Sequence, residues 1–230
     1  MNKIKNAKQK IFTRQLEIKE KIKSIEFDAH WFRRVFHTFA ASFLIYYLLP
    51  DEKWFNILKF YFLLIVILLV IILEYRRIKG RIDCNYFFGL RLYEEKRPAG
   101  YLYFGVALVI LLLFFPQQIA LPCILCACFS DPIIGEIRYR SGKNKSYVIG
   151  FLICMFFFAI TWYKADIMAM IVVSIIGATG AVIGEFKKFW LIDDDFMIQI
   201  LPAVLILILW QVVMILTDIN ILPAEIILPI

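Results

Sequence analysis

Seven apolar runs, parted by polar segments, constrain this chain more than any other feature of its sequence. They cover about residues 35–49, 55–73, 101–115, 118–129, 147–163, 167–183 and 198–216. A straight spanning helix needs roughly 20 mostly apolar residues. Backbone groups in lipid must also be satisfied within their own segment, which makes helices the expected form. The chain is 62% hydrophobic with a mean hydropathy of +0.76, whereas soluble domains are about 45–50% apolar. The expected fold is therefore all-α, a polytopic integral membrane bundle of about seven transmembrane helices. The first run can extend back through Trp31 and Phe32. The fourth, broken by Pro116 and Pro122, could instead be a half-spanning helix covered by neighbouring protein. The tail 219–230 holds Pro223, Glu225 and Pro229, which places it at the interface rather than across the bilayer.

Charge orients the runs. Ten Lys/Arg lie in residues 1–34, seven in 74–100, four in 130–146 and two in 184–195, which is 23 of the 26. With seven spans these four segments share one side, so that side and the N-terminus are cytoplasmic. The opposite loops, 50–54, 116–117 and 164–166, are short. Residues 1–30 read as a basic amphipathic leader attracted to headgroups, and residues 31–230 as one transmembrane domain. No cleavable signal peptide is visible. The net charge of +7 is spread over loops between apolar runs, which argues for anionic membrane lipids and against nucleic acid as a partner. Cys84, Cys123, Cys126, Cys128 and Cys154 lie mostly in apolar surroundings, so packing is expected rather than disulfides or a metal centre.

Four polar clusters remain, one in each cytoplasmic segment. In the first, Arg33, Arg34 and His37 stand at the start of a span, with His37 one turn from Arg34 on the same helical face. An ionisable group inside a span boundary is a functional suspect. In the second, Glu74, Arg76, Arg77, Arg91, Lys96 and Arg97 pair with one another or face phosphates, and Pro98 and Gly100 mark a turn. The third runs from Phe129 to Gly150. Asp131 before Pro132 fits a helix N-cap with proline at the first helical position. Glu136, Arg138, Arg140, Lys143 and Lys145, interspersed with Gly135 and Gly142, add what phosphoryl transfer requires. Carboxylates can hold Mg²⁺, cations can neutralise phosphate oxygens, and glycines allow close approach. In the fourth, Glu185 precedes Asp193, Asp194 and Asp195, whose mutual repulsion either a divalent cation or Lys187 and Lys188 would relieve. Such chemistry at a membrane edge points to a soluble nucleotide meeting a lipid alcohol. No Walker loop, protein-kinase glycine loop or hydrolase motif occurs.

The order of these clusters resembles the polyprenol kinase family, which includes dolichol kinases, phytol kinases and the CTP-dependent diacylglycerol kinase. Arg33, Arg34 and His37 resemble its R-[RK]-x-x-H. Arg97, Pro98, Gly100 and Tyr101 resemble its basic, Gly-and-Tyr start of a span. Ser130, Asp131, Pro132, Gly135, Gly142 and Lys143 resemble its G-D-P/A-x-A-x-x-x-G…G-K. Glu185 with Asp193 and Asp194, then Pro202, resembles its late E…D-D-N and proline. The likeness covers about residues 30–205. Ser130 replaces a glycine, Asp195 replaces the asparagine, and no glutamate lies between Ser146 and Gly150.

The resemblance implies CTP as phosphoryl donor and an isoprenoid alcohol as acceptor. Asp131, His37 and Asp194 would be catalytic. Gly135, Arg138, Arg140, Gly142, Lys143, Lys145, Arg34 and Arg97 would bind nucleotide, and Asp131, Glu136, Glu185, Asp193 and Asp194 would hold Mg²⁺. The alternatives are a CTP:lipid-phosphate cytidylyltransferase, whose late Gly- and His-containing run is missing from residues 189–201, and a non-catalytic membrane protein or carrier. Short loops point to a prokaryotic plasma membrane, with the ER membrane as alternative.

Overall fold

A computed structural model describes residues 34–82, 90, 94, 97–186 and 192–230. The leader 1–30 lies outside the described residues, as do Trp31, Phe32, Arg33, Cys84, Arg91, Lys96, Lys187 and Lys188.

Helix α1 (34–40) tightens into a 3₁₀ helix at Ala41–Tyr47, and α2 (Lys53–Ile78), α3 (Gly100–Phe114) and α4 (Gln117–Leu125) follow. A π-helical turn, Cys126–Ser130, joins α4 to α5 (Asp131–Ser141). The chain ends with α6 (Lys143–Thr161), α7 (Ile167–Phe186) and α8 (Asp194–Thr217). The described residues contain no strand. Five helices are long and apolar enough to cross a membrane: α2, the continuous Gln117–Ser141, α6, α7 and α8. Helix α2 exposes Ile57, Phe60, Phe62, Ile65, Leu68 and Ile72, as expected of a helix whose surroundings are hydrocarbon. The expected all-α class is thus observed among the described residues, with five helices able to cross a membrane.

The fourth apolar run does not end where its hydropathy does. It continues as one helix through Asp131 to Ser141. Ser130 and Asp131 both have helical backbone angles, so Asp131 is not the N-cap that Asp-Pro suggests. Proline inside a helix removes a donor and leaves the carbonyl four residues earlier without its partner. At Pro122 that carbonyl is Gln118, and the Trp162 indole Nε1 donates to it at 2.8 Å. At Pro132 the wider π turn just upstream absorbs the disruption.

Helix α7 presents Gly177, Gly180 and Gly184 to its neighbours. A Cβ at Gly180 would stand 2.9 Å from the Pro202 Cα, and one at Gly184 would stand 2.6 Å from the Met197 carbonyl. Small residues let membrane helices approach to backbone contact. Here that approach sets the depth of Glu185 against the start of α8. Beneath it, Phe104, Leu111, Ile124, Phe158 and Ile206 form the buried core.

The polar contacts sort into two ends. At one, the tail is strapped to the bundle. Gln117 Oε1 accepts from the Ile226 and Ile227 amides at 2.9 and 3.0 Å, Gln118 Nε2 donates to the Pro223 carbonyl at 2.9 Å, and the Ile230 amide donates to the Leu48 carbonyl at 3.1 Å. The tail expected to lie at the interface is therefore held by side-chain amides of α4. The other end carries most of the charge.

Candidate functional site

Three segments far apart in sequence meet at the charged end. His37 enters from α1, Asp131 from the turn after the π helix, and Asp195 from the first turn of α8. His37 Nδ1 stands 3.6 Å from Asp131 Oδ2, and Nε2 stands 3.7 Å from Asp195 Oδ1. One donor atom of each residue lies within 4.8 Å of the others. His37 and Asp195 are buried, whereas the Asp131 side chain is 22% exposed, so Asp131 forms the accessible front of the group. The imidazole also meets the Phe104 ring edge to face, with centroids 4.7 Å apart. Gln199, one turn after Asp195, donates to the Asp195 carbonyl at 2.9 Å and to the Phe104 carbonyl at 3.3 Å, tying α8 to α3 beneath the imidazole.

Asp193 caps α8 by accepting from the Asp195 amide at 3.1 Å. Donor atoms of Asp193, Asp194 and Asp195 again lie within 4.8 Å of one another, so two acidic groups meet at Asp195. Burial first, then the neighbouring Asp194 and Asp195, push the Asp193 carboxyl up to about 8. Glu185 is buried at the end of α7, within electrostatic reach of Asp131 and Asp194.

Arginines rim the group. Arg138 donates to Glu185 Oε1 at 2.6 Å and lies 5.5 Å from the Tyr147 ring centroid. Arg34 and Arg140 both pair with Glu136. Six carboxylates, Asp131, Glu136, Glu185, Asp193, Asp194 and Asp195, thus gather with three arginines and one histidine. Among the described residues, Glu185 Oε2 and His37 Nδ1 have no hydrogen-bond partner despite burial. Buried polar atoms are ordinarily satisfied, so these two atoms beside Asp131 fit a site that takes a divalent cation.

Other predicted residues fall elsewhere. Gly135 faces open space, and Gly142, at φ +87°, makes the joint between α5 and α6. Lys143 and Lys145 are exposed on the first turn of α6. The eleven residues of α5, Asp131–Ser141, separate these lysines from Asp131 by roughly 15 Å along the helix. The structure does not bring them to His37. Arg97 is exposed, and its carbonyl accepts from Arg77 at 2.7 Å. It belongs to a separate network. Arg77 pairs with Glu74 at 2.6 and 2.8 Å, and Glu74 also accepts from the Ala99 amide at 2.6 Å and from the Tyr101 hydroxyl. Glu94 accepts from the Gly100 amide at 3.2 Å. Cys123, Cys126, Cys128 and Cys154 are free and buried, as packing residues should be, and Cys154 Sγ donates to Ser130 Oγ at 3.2 Å.

Asp195 is the functional candidate that the sequence reading passes over. Its signal was present: Asp195, Ile198, Gln199, Pro202, Ala203 and Ile206 form one buried helical stripe. Comparison of the chain with protein-family models, with curated proteins and with solved structures returned no match.

Proposed function

We propose that the chain is a membrane-embedded phosphotransferase that phosphorylates a lipid alcohol, with CTP as the donor that the resemblance implies. One observation carries the reading. Residues 34–37, 131–140, 185 and 193–195 converge into an acid-rich group rimmed by arginine at one end of a bundle of apolar helices. Counting α1 with its 3₁₀ extension, α3 and the five long helices gives seven crossings. The group then falls on the Lys/Arg-rich, cytoplasmic side, where nucleotide is available. A prokaryotic plasma membrane is the proposed location.

Asp131, with the adjacent aspartates, would hold Mg²⁺, which neutralises charge on the donor phosphates. Arg138 and Arg34 exchange their carboxylate partners for β- and γ-phosphate oxygens. Arg140, Lys143 and Lys145 draw the nucleotide toward the mouth, acting over distance rather than by contact. The lipid lies along the apolar helix faces with its hydroxyl at Asp131. Its oxygen bonds to the γ-phosphorus, the bond from that phosphorus to the β–γ bridging oxygen breaks, and CDP leaves. The hydroxyl proton passes to a carboxylate of the group. Positioning and charge neutralisation supply most of the rate.

The test incubates purified protein in detergent with Mg²⁺, polyprenols or diacylglycerol, and either γ-labelled CTP or γ-labelled ATP. Label entering lipid is the expected result and names donor and acceptor together. Pyrophosphate release from CTP in the presence of a lipid phosphate would replace this reading with a cytidylyltransferase. Silence in both assays would leave a non-catalytic protein.

A further inference from the structure

His37 is the only described histidine, and its surroundings differ from those of a packing residue. It is 4% exposed, yet Nδ1 has no hydrogen-bond partner and faces Asp131 Oδ2. The opposite nitrogen faces Asp195 Oδ1, and Asp195 is itself fixed: its amide by Asp193, its carbonyl by Gln199. A metal-binding imidazole shows this arrangement. One nitrogen is left for the metal beside a carboxylate, and the other turns toward a second carboxylate that sets the tautomer and the ring orientation; here that carboxylate lies 3.7 Å from Nε2 on a backbone held by Asp193 and Gln199.

We infer that His37 Nδ1 and the Asp131 carboxylate are direct ligands of one divalent cation, with Asp195 as the outer carboxylate that orients His37. This deepens the phosphotransferase reading by changing the cation it calls for. Mg²⁺ takes oxygen ligands almost exclusively, whereas imidazole nitrogen favours first-row transition cations. The site therefore prefers a cation such as Mn²⁺ to Mg²⁺. Two protein ligands leave most coordination positions to water or to the oxygens of a phosphorylated substrate. Asp193 and Asp194 group with Asp195 rather than with His37 and Asp131, and belong to the outer ring.

The chain contains two histidines, His30 and His37, which makes the inference directly readable. Protein freed of any affinity tag would be loaded with Mn²⁺ without nucleotide and studied by pulsed electron paramagnetic resonance. The expected result is one bound Mn²⁺ with ¹⁴N modulation of the imidazole type. The modulation persists in His30→Gln and is lost in His37→Gln. Asp195→Asn, which leaves both ligands in place, weakens Mn²⁺ binding about 10- to 100-fold. Competing Mg²⁺ displaces the bound Mn²⁺ only at an excess on the order of tenfold or more. Bound Mn²⁺ without ¹⁴N modulation, modulation that survives His37→Gln, or no stoichiometric Mn²⁺ would each overturn the inference. Should His37→Gln misfold, the wild-type spectrum and the Asp195→Asn affinity still decide. The outcome is separable from catalysis. ¹⁴N-coupled Mn²⁺ in a protein that transfers no phosphate upholds the site and removes the kinase. Lipid phosphorylation by a protein lacking that coupling does the reverse.

Discussion

Two polar networks sit at the same end of this bundle, and they are built on opposite principles. Around Glu74 and Arg77 every strong group is answered. The guanidinium takes both carboxylate oxygens and a carbonyl, and the carboxylate adds an amide and a hydroxyl. Among the described residues around His37, Asp131, Asp195 and Glu185, acids outnumber cations, and His37 Nδ1 and Glu185 Oε2 are buried without partners. A saturated network has nothing left with which to hold a ligand. It ties the end of α2 to residues 97–101 at the start of α3, where the exposed Arg97 accepts through its carbonyl. An unsaturated network is poorly suited to hold a fold together, because an unmet buried group costs stability. Its deficits are the property that suits it to bind. Charge density alone does not separate the two; satisfaction does.

The contrast can be tested first where it predicts the largest change. Arg77→Met removes the cation from a buried pair and leaves Glu74 uncompensated, a loss of about 3–5 kcal/mol. Thermal unfolding in detergent should come about 10 °C lower, while transfer activity per folded molecule stays near wild type. Lost activity with an unchanged melting temperature would reverse the roles given to the two networks.

Gly184→Ala should act on the other network from outside it. The added methyl meets the Met197 carbonyl at 2.6 Å and pushes the start of α8 away from α7. Asp195 then shifts from His37, and kcat should fall on the order of 100-fold, as small misplacements can cause. A kinetic assay beside a melting curve separates this from simple unfolding.

Removing both exposed lysines, Lys143→Ala with Lys145→Ala, should raise KM for the nucleotide only about threefold at low salt, and less at high salt, because screened charges steer rather than bind. A large fall in kcat would place these lysines in direct contact with the transferred phosphate.

The smallest effect concerns pH. The Asp193 carboxyl is raised from its ordinary 3.8 to about 8, so the folded chain holds a proton that the unfolded chain has released. Stability from this group is full below about pH 4 and is lost as pH rises through 8. Asp193→Asn keeps the helix cap and removes the charge. In EDTA its melting temperature should exceed wild type by about 2–4 °C at pH 8, with the gap closing toward pH 4. A gap that widened toward acid pH would contradict this account of the crowding.

Much of the scaffold was legible because lipid imposes a strong, local signal. The runs at 55–73, 147–163, 167–183 and 198–216 lie within α2, α6, α7 and α8, allowing for one or two residues at the end of α6. The passage through Asp131 was not legible, since hydropathy stops at Phe129 and Asp-Pro imitates a helix start. Nothing local announces that Trp162 repairs the break at Pro122 or that a π turn accommodates Pro132. The strapped tail was hidden for the same reason, because Gln117 and Gln118 meet it across more than 100 residues. In the site, residue types revealed His37, Asp131, Arg138 and Glu185 as chemically apt. Which aspartate of three turns inward depends on helical phase, and attention to the motif favoured Asp193 and Asp194 over Asp195.

The central claim is that the unsaturated network performs phosphoryl transfer, and Asp131 is its accessible front. The most direct measurement compares wild type with Asp131→Asn in the transfer of γ-label from CTP to a lipid alcohol, at equal amounts of protein of matched helical content. The account predicts labelled lipid from wild type and a loss on the order of 10³-fold in Asp131→Asn. Equal labelling by the two proteins would contradict it.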